Sequence, residues 1–109
     1  MFTRVVEIRT KLGKTREFSA TLNEKVLPIL KKQPGFVDEI TLVSNTEPER
    51  VLALSFWDSE ADAEKYNREQ YPKVTEILTP LIDFPPSVQT FDVDISTTHH
   101  ISKGKAAAA

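Results

Sequence analysis

Short apolar segments follow one another along the chain, and their spacing switches from that of strands to that of helices and back. Residues 2–10 are rich in β-branched side chains and predict a strand. Phe2, Arg4, Val6 and Ile8 share one side of it, and Thr3, Val5, Glu7 and Arg9 the other. Gly13 marks the turn that follows. Over residues 15–32, Phe18, Leu22, Val26, Ile29 and Leu30 recur at intervals of three or four, a helical stripe with Thr15 as its candidate N-cap. Pro28 lies inside that stripe. It cannot donate to Glu24 and its ring crowds that carbonyl, so a kink or a shortened last turn is expected. Lys31 and Lys32 suit the negative end of the helix dipole, and Pro34-Gly35 ends the segment.

A second strand is predicted over 36–44, with Ile40 and Leu42 on one side. A polar loop over 45–50 has the length of a hairpin connection. The third strand, 51–57, is the most apolar: Leu52, Leu54 and Phe56 on one face, Val51, Ala53 and Trp57 on the other, with Ser55 its one polar residue. A helix over 59–67 opens with an Asp58 or Ser59 cap, places Asp62 in the capping-box position and carries Ala63 and Tyr66 on its inner stripe. Pro72 takes an N1-like position in a second helical piece, 72–82, with Val74, Ile77, Leu78 and Leu81 inward and Pro80 distorting its end. After an irregular link at 83–86, residues 88–95 alternate as a fourth strand. Residues 96–109 form a polar tail outside the domain of residues 1–95, and its terminal alanines are set aside.

The order β-α-β-β-α-β is the ferredoxin-like, α+β arrangement: a four-stranded antiparallel sheet with both helices on one face, because each crossover is right-handed. The other face is then bare, yet the third strand is apolar on both sides. A bare apolar sheet is an association surface, and the simplest closure is a second copy stacked on it, a two-fold homodimer through the sheet face.

Composition narrows the partners. The chain has 109 residues, the size of one domain, and a net charge of -2 with no basic stripe, so nucleic acid is not an expected partner. It lacks cysteine, which removes disulfides and thiol chemistry and is compatible with a cytoplasmic location. The first residues carry charges inside their apolar run, unlike a signal peptide, and no stretch approaches the ~18 apolar residues of a membrane span.

Three features together resemble a known family: the Gly-containing turn before the first helix, the Pro34-Gly35-Phe36 entry to the second strand, and the junction Phe56-Trp57-Asp58-Ser59-Glu60-Ala61-Asp62-Ala63. Over roughly residues 2–95 the chain resembles the antibiotic biosynthesis monooxygenase (ABM) domain family of the dimeric α+β barrel superfamily. The resemblance implies a homodimer and a cavity between the helices and the sheet. It also implies kinship with cofactor-independent monooxygenases of aromatic polyketides and quinols and with haem-degrading enzymes. The haem-degrading pattern wants an Asn on the first strand, a Trp on the second helix and a His beyond it. Residues 2–10 contain no Asn, Tyr66 stands in the Trp place and Glu76 falls near the His position, so haem degradation is not expected.

No dinucleotide fingerprint or metal-ligand constellation is present, so no cofactor is expected. Cofactor-free oxygenation needs an electron-rich substrate such as a hydroquinone or anthrone, a site that stabilises its anion, and exclusion of water. Tyr66 and Arg68 are the catalytic candidates. Trp57, Asn67, Tyr71 and Arg4 are the candidates for binding a small aromatic ligand, with Arg4 stabilising its anion. Each has a plainer reading: Trp57 as core packing, Tyr66 as a packed stripe residue, Tyr71 as a helix terminator, and Asn67 and Arg68 as part of a solvated break. Arg4 could pair across the sheet with Asp92 or Glu39. His99 and His100 point opposite ways in an extended tail and make no bidentate site. The rival function is a non-catalytic dimer that binds a small molecule or serves as a stress or regulatory partner, and isomerase or decarboxylation chemistry is a third possibility on the same scaffold. An open cavity of ~300 Å³ or more with convergent polar groups favours a ligand site; a filled interior favours the rival.

Overall fold

A computed structural model describes residues 1–101. Four strands, β1 (Phe2–Arg9), β2 (Phe36–Val43), β3 (Arg50–Trp57) and β4 (Ser87–Asp92), form one antiparallel sheet in the order β2-β3-β1-β4. This is the ferredoxin-like order, and the strands fall within two residues of the sequence reading except for the last, which ends at Asp92. The register sets the faces. Phe2, Arg4, Val6 and Ile8 of β1 pair with Trp57, Ser55, Ala53 and Val51 of β3, and this face packs on the helices. Apolar side chains alternate with outward ones at period two, which is why the inward row of β1 is buried while Glu7 and Arg9 are exposed.

The first helical region is α1 (Thr15–Thr21), a π-helical turn (Leu22–Val26) and α2 (Leu27–Lys31). The disturbance expected from Pro28 is this π turn. The Leu27 amide bonds to the Leu22 carbonyl, and Pro28 then stands at the start of α2, where no amide donor is required. Thr15 is the first helical residue rather than the cap. Lys14 precedes it without a side-chain cap, and the Thr15 hydroxyl donates instead to the Pro48 carbonyl at 2.7 Å, tying the helix start to the β2–β3 loop. Pro80 lies in a 3₁₀ turn (Thr79–Leu81) that ends the fourth helix, α4 (Tyr71–Leu78).

The third helix, α3 (Glu60–Glu69), begins at a capping box. Ser59 Oγ accepts from the Asp62 amide at 3.2 Å and donates to the Asp62 carboxylate at 2.9 Å. Gly35 closes this corner. Its φ is +78°, its carbonyl accepts from the Asp58 amide at 2.8 Å, and a Cβ placed on it would run into the Asp62 side chain. Phe36 packs edge-on against Trp57, ring centroids 5.6 Å apart. Two of the three sequence features that carry the family resemblance therefore touch.

The opposite sheet face is apolar and partly bare. Ile40, Leu42 and Phe91 are 43%, 48% and 51% exposed, and Leu52, Leu54 and Phe56 are half-buried. At one end the chain beyond β4 crosses it. The Val93 amide donates to the Met1 carbonyl, the His99 ring lies 6.4 Å from that of Phe56, His99 Nε2 meets the Asp38 carboxylate at 3.3 Å, and Ile101 is buried. The tail thus returns over the sheet as a strap at least to Ile101; the alanine run lies outside the described residues.

Gly13 (φ +73°) and Gly35 both sit in the left-handed region, but only Gly35 is crowded. We expect Gly13→Ala to cost about 1 kcal/mol and Gly35→Ala about 2–3 kcal/mol, because the latter also displaces Asp62 from the cap. Urea denaturation of the two variants checks the difference, and equal costs would refute the account of the corner.

Candidate functional site

Arg4 stands at the centre of the helix-covered face, paired in register with Ser55 on one side and Thr90 on the other. It is only 3% exposed. A buried guanidinium ordinarily has a carboxylate beside it, since an unpaired charge out of water is costly. None of the ion pairs among the described residues involves Arg4. The expected partners do not serve: Asp92 lies opposite Phe2, and Glu39 is across β3 and forms no ion pair with it. Instead Arg4 Nη2 donates to Asn67 Oδ1 at 2.9 Å, and the guanidinium carbon lies 4.4 Å from the Tyr71 ring centroid and 5.2 Å from that of Tyr66. Two aromatic faces replace the missing anion, at roughly 0.5–2 kcal/mol each.

The helices bring those groups to Arg4 for local reasons. The Ser59 cap fixes the phase of α3, which turns Ala63 and Tyr66 inward and sets Asn67 at the edge of the sheet. Gln70 ends α3 and opens α4, and Pro72 in the first turn of α4 enforces the break. The chain bends there and lays the Tyr71 ring 6.1 Å from that of Tyr66. Behind Tyr66 stands Trp57, centroids 5.1 Å apart, its indole N–H donating to Ser55 Oγ at 2.9 Å.

Electrostatics follow from burial. Burial pushes the Tyr66 hydroxyl up to about 12, against the opposing pull of the Arg4 charge. Tyr71 is raised for the same leading reason. Its hydroxyl is buried and meets no partner in hydrogen-bonding geometry, although Arg4 is near enough to favour the phenolate somewhat. Both phenols stay protonated at neutral pH, so they serve as hydrogen-bond donors and not as bases. Glu39, on β2, is pushed up by burial while Thr41 Oγ1 donates to its carboxylate at 2.7 Å.

Two spaces meet at Arg4. The inner one is a cavity of about 50 Å³ between the sheet and the helices, lined mainly by aliphatic side chains, with Arg4, Ser55 and Glu39 among its few polar walls. The outer one is a groove of about 300 Å³ between α3 and the β1–β4 edge, with Phe2, Ala63 and Val88 beside Asn67 and Thr90, and Glu60 and Glu64 along α3. Arg4 is the residue common to both.

The structure brings Arg4, Tyr66, Asn67 and Tyr71 together. Trp57 is fully buried and lines neither space; it backs Tyr66. Arg68 is exposed and lines neither. Glu39 and Ser55 were absent from the sequence-level site. Ser55 left a signal, as the lone polar residue of an apolar strand; Glu39 entered the sequence reading only as a possible cross-sheet partner of Arg4. Among the described residues no group of three His, Cys, Asp or Glu side chains is arranged to hold a metal.

The sequence model of the antibiotic biosynthesis monooxygenase family matches residues 1–75. The chain belongs to this family. The matched region contains the whole corner at Gly35 and the Arg4–Tyr66–Asn67–Tyr71 cluster. No curated protein matches this ABM chain. Solved structures share its fold. The monooxygenase of the gene ActVA-Orf6 of Streptomyces coelicolor, in complex with nanaomycin D, superimposes with a TM-score of 0.76 at 17% identity, covering 87% of this chain and 88% of that one. SnoaB, a cofactor-independent oxygenase of Streptomyces nogalater, gives 0.74 at 15% identity over 90% and 97%. A Nitrosomonas europaea protein of unknown function gives 0.74 at 15% over 88% and 91%. At these identities the likeness concerns the fold.

The chain has two tyrosines, and both are raised. Native protein at pH 10 is therefore expected to show little tyrosinate absorbance near 295 nm, where a free tyrosine is half ionised. The raised folded value makes the unfolded chain lose its phenolic proton first. Stability from Tyr66 is complete below pH 10 and falls as the pH rises toward 12, by on the order of 2–3 kcal/mol. Half-ionisation of the folded protein at pH 10 would refute the burial argument. Arg4→Met removes a buried charge that has no ion-pair partner, so we expect stability to hold or to rise by about 1 kcal/mol. A large fall in the urea midpoint would show that the guanidinium is a structural necessity.

Proposed function

We propose that this ABM domain binds a small, flat, ionisable aromatic molecule of hydroquinone, anthrone or polyketide type and oxygenates it without a cofactor. The observation that carries the reading is the buried Arg4 cation, without a carboxylate, facing a groove of about 300 Å³. A fixed positive charge in a site of low dielectric favours the ionised form of a phenol or enol, and that anion is the form that reacts with oxygen. The family, and neighbours such as the cofactor-independent oxygenase SnoaB, support the same chemistry.

In this reading the ligand lies in the groove with its anionic oxygen toward Arg4, positioned by Asn67. An anthrone first loses one proton from its methylene carbon. The resulting carbanion gives an electron pair to dioxygen, a C–O bond forms, and oxygen is reduced to a bound peroxide anion. One proton returns to the peroxide. The O–O bond then breaks with loss of the remaining hydrogen on that carbon, giving a carbonyl and water. Arg4 stabilises the charge before and after oxygen adds, and Asn67 and Thr90, on the groove wall, are the donors to the peroxide. Glu60 and Glu64, on the α3 wall of the groove, are the carboxylates available to take the first proton. Arg68, exposed, has no part in it.

The same chain works as a homodimer in the cytoplasm. Ile40, Leu42 and Phe91, with the half-buried row of β3, form an apolar surface that a second copy would cover. One observation favours the non-catalytic reading: the inner cavity, at about 50 Å³, is nearly filled. Under that reading the groove alone binds the aromatic and no oxygen is consumed.

Oxygen uptake with a panel of hydroquinones and anthrones separates the two. We expect turnover with at least one electron-rich member and its loss in Arg4→Met, which still folds; ligand binding without uptake across the panel would leave the binding module. Light scattering at micromolar concentration is expected to give twice the chain mass, and a monomer would refute the dimer.

A further inference from the structure

The outer groove has two ends of opposite charge. Glu60, Ala63, Glu64 and Asn67 form its helical wall, and their spacing puts all four on one face of α3. Trp57, three residues before Glu60, pairs with Phe2, so α3 starts beside the Phe2 end of β1 and runs toward Arg4, which Asn67 meets at 2.9 Å. Glu60 and Asn67 lie about 10 Å apart along the helix axis. Helical side chains lean toward the helix start, which draws both carboxylates further from the guanidinium. Phe2 and Ala63 supply apolar wall in the same groove.

Neither acid is engaged elsewhere. None of the ion pairs among the described residues includes Glu60 or Glu64, and Arg68, one turn beyond Glu64, is not paired with it. Glu60, in the first turn, suits the positive end of the helix dipole. Glu64 lies outside that turn, and like charges four apart cost helix stability. Arg4, 3% exposed and without a carboxylate, faces the same space. A ligand with a single charge satisfies only one end of this groove.

We propose that the groove selects an amine-bearing aromatic: a phenol or hydroquinone whose ring carries a short alkylammonium arm. Its ionisable oxygen lies at Arg4 and Asn67, its ring along Phe2 and Ala63, and its ammonium at Glu60. Glu64, one turn nearer Arg4, is left to take the proton. This names the substrate class of the site proposed above and rests on that site taking an aromatic, but not on the oxygen chemistry. A carboxylate arm in the same place would meet two like charges, so the acids reject as well as select. Both acids are exposed, and each such pairing is worth a several-fold change in affinity that salt weakens.

Three hydroquinones that differ only in the arm test this: 2-(2,5-dihydroxyphenyl)ethylamine, ethylhydroquinone and 2,5-dihydroxyphenylacetate. In calorimetric titrations under nitrogen at neutral pH, the amine is expected to bind several-fold more tightly than the ethyl compound, and the ethyl compound several-fold more tightly than the acid. The order is expected to shrink as salt is raised. Equal affinities, or no binding by any of the three, would overturn the proposal, and this measurement needs no variant. In the double variant Glu60→Gln with Glu64→Gln, whose folding a retained urea midpoint verifies, the three affinities are expected to converge; an order that persists there would assign the selection to other groups and refute the proposal. Oxygen uptake, measured separately on the wild-type protein, keeps the two readings apart. The predicted order without uptake would uphold the amine selection and refute the oxygenation, whereas uptake with equal affinities would refute the selection and leave the oxygenation standing.

Discussion

A positive charge held out of water without a counter-charge is the constraint around which this domain is built. Placing a guanidinium at the inward position of β1 costs solvation that no carboxylate returns. The fold answers with two aromatic faces and one amide oxygen, all delivered from α3 and the start of α4. Those groups are affected in turn. The tyrosines that shield the cation are buried by doing so, and burial keeps them protonated. The side chain that divides groove from cavity is the same one that carries the charge. Electrostatics, protonation and the shape of the empty space therefore have a single origin.

That arrangement depends on a corner some distance away along α3. The helix reaches Arg4 only if its first turn is fixed, and the first turn is fixed by Ser59 and Asp62 against Gly35. The glycine has two requirements to meet, a left-handed backbone and an absent Cβ, and no other residue meets both. The edge-on packing of Phe36 on Trp57 then carries the alignment to the base of Tyr66. Sequence stretches 21 residues or more apart along the chain (Phe36 to Trp57) thus act as one mechanical unit, which explains why they occur together.

Much of this was legible in the sequence, for reasons specific to each part. Strand β1 and the stripe of Ala63 and Tyr66 announce themselves because period two and period 3.6 are local properties. The capping box is legible because Ser59 and Asp62 must be three apart. The shared neighbourhood of Arg4, Tyr66 and Asn67 was recoverable only with a family in mind, since no local rule places residue 4 against residue 67. The division into two spaces was not recoverable, because volume is decided by how side chains pack and not by where they stand in the chain. Arg68 shows the opposite failure. Its chemistry suits a site, but it follows Asn67 on a helix whose inward stripe has already passed. The strap over the sheet was hidden by its polar composition, which predicts nothing until Phe56 and Asp38 are seen beneath it.

The π turn has a consequence of another kind. Phe18, Leu22, Val26 and Leu30 line the inner cavity at a constant spacing of four. In an α-helix, 3.6 residues per turn, each such step drifts by about 40° around the axis, so four residues so spaced would wind away from a common wall. A stretch that is underwound at Leu22–Val26 counters the drift and holds the row in line. The back of the cavity is therefore encoded as a residue count. Aliphatic side chains there can be exchanged over evolutionary time at modest cost, whereas loss of a single residue from the turn would restore an ordinary helix, rotate Phe18 out of the row by about 100° and erase the wall without altering the character of any side chain.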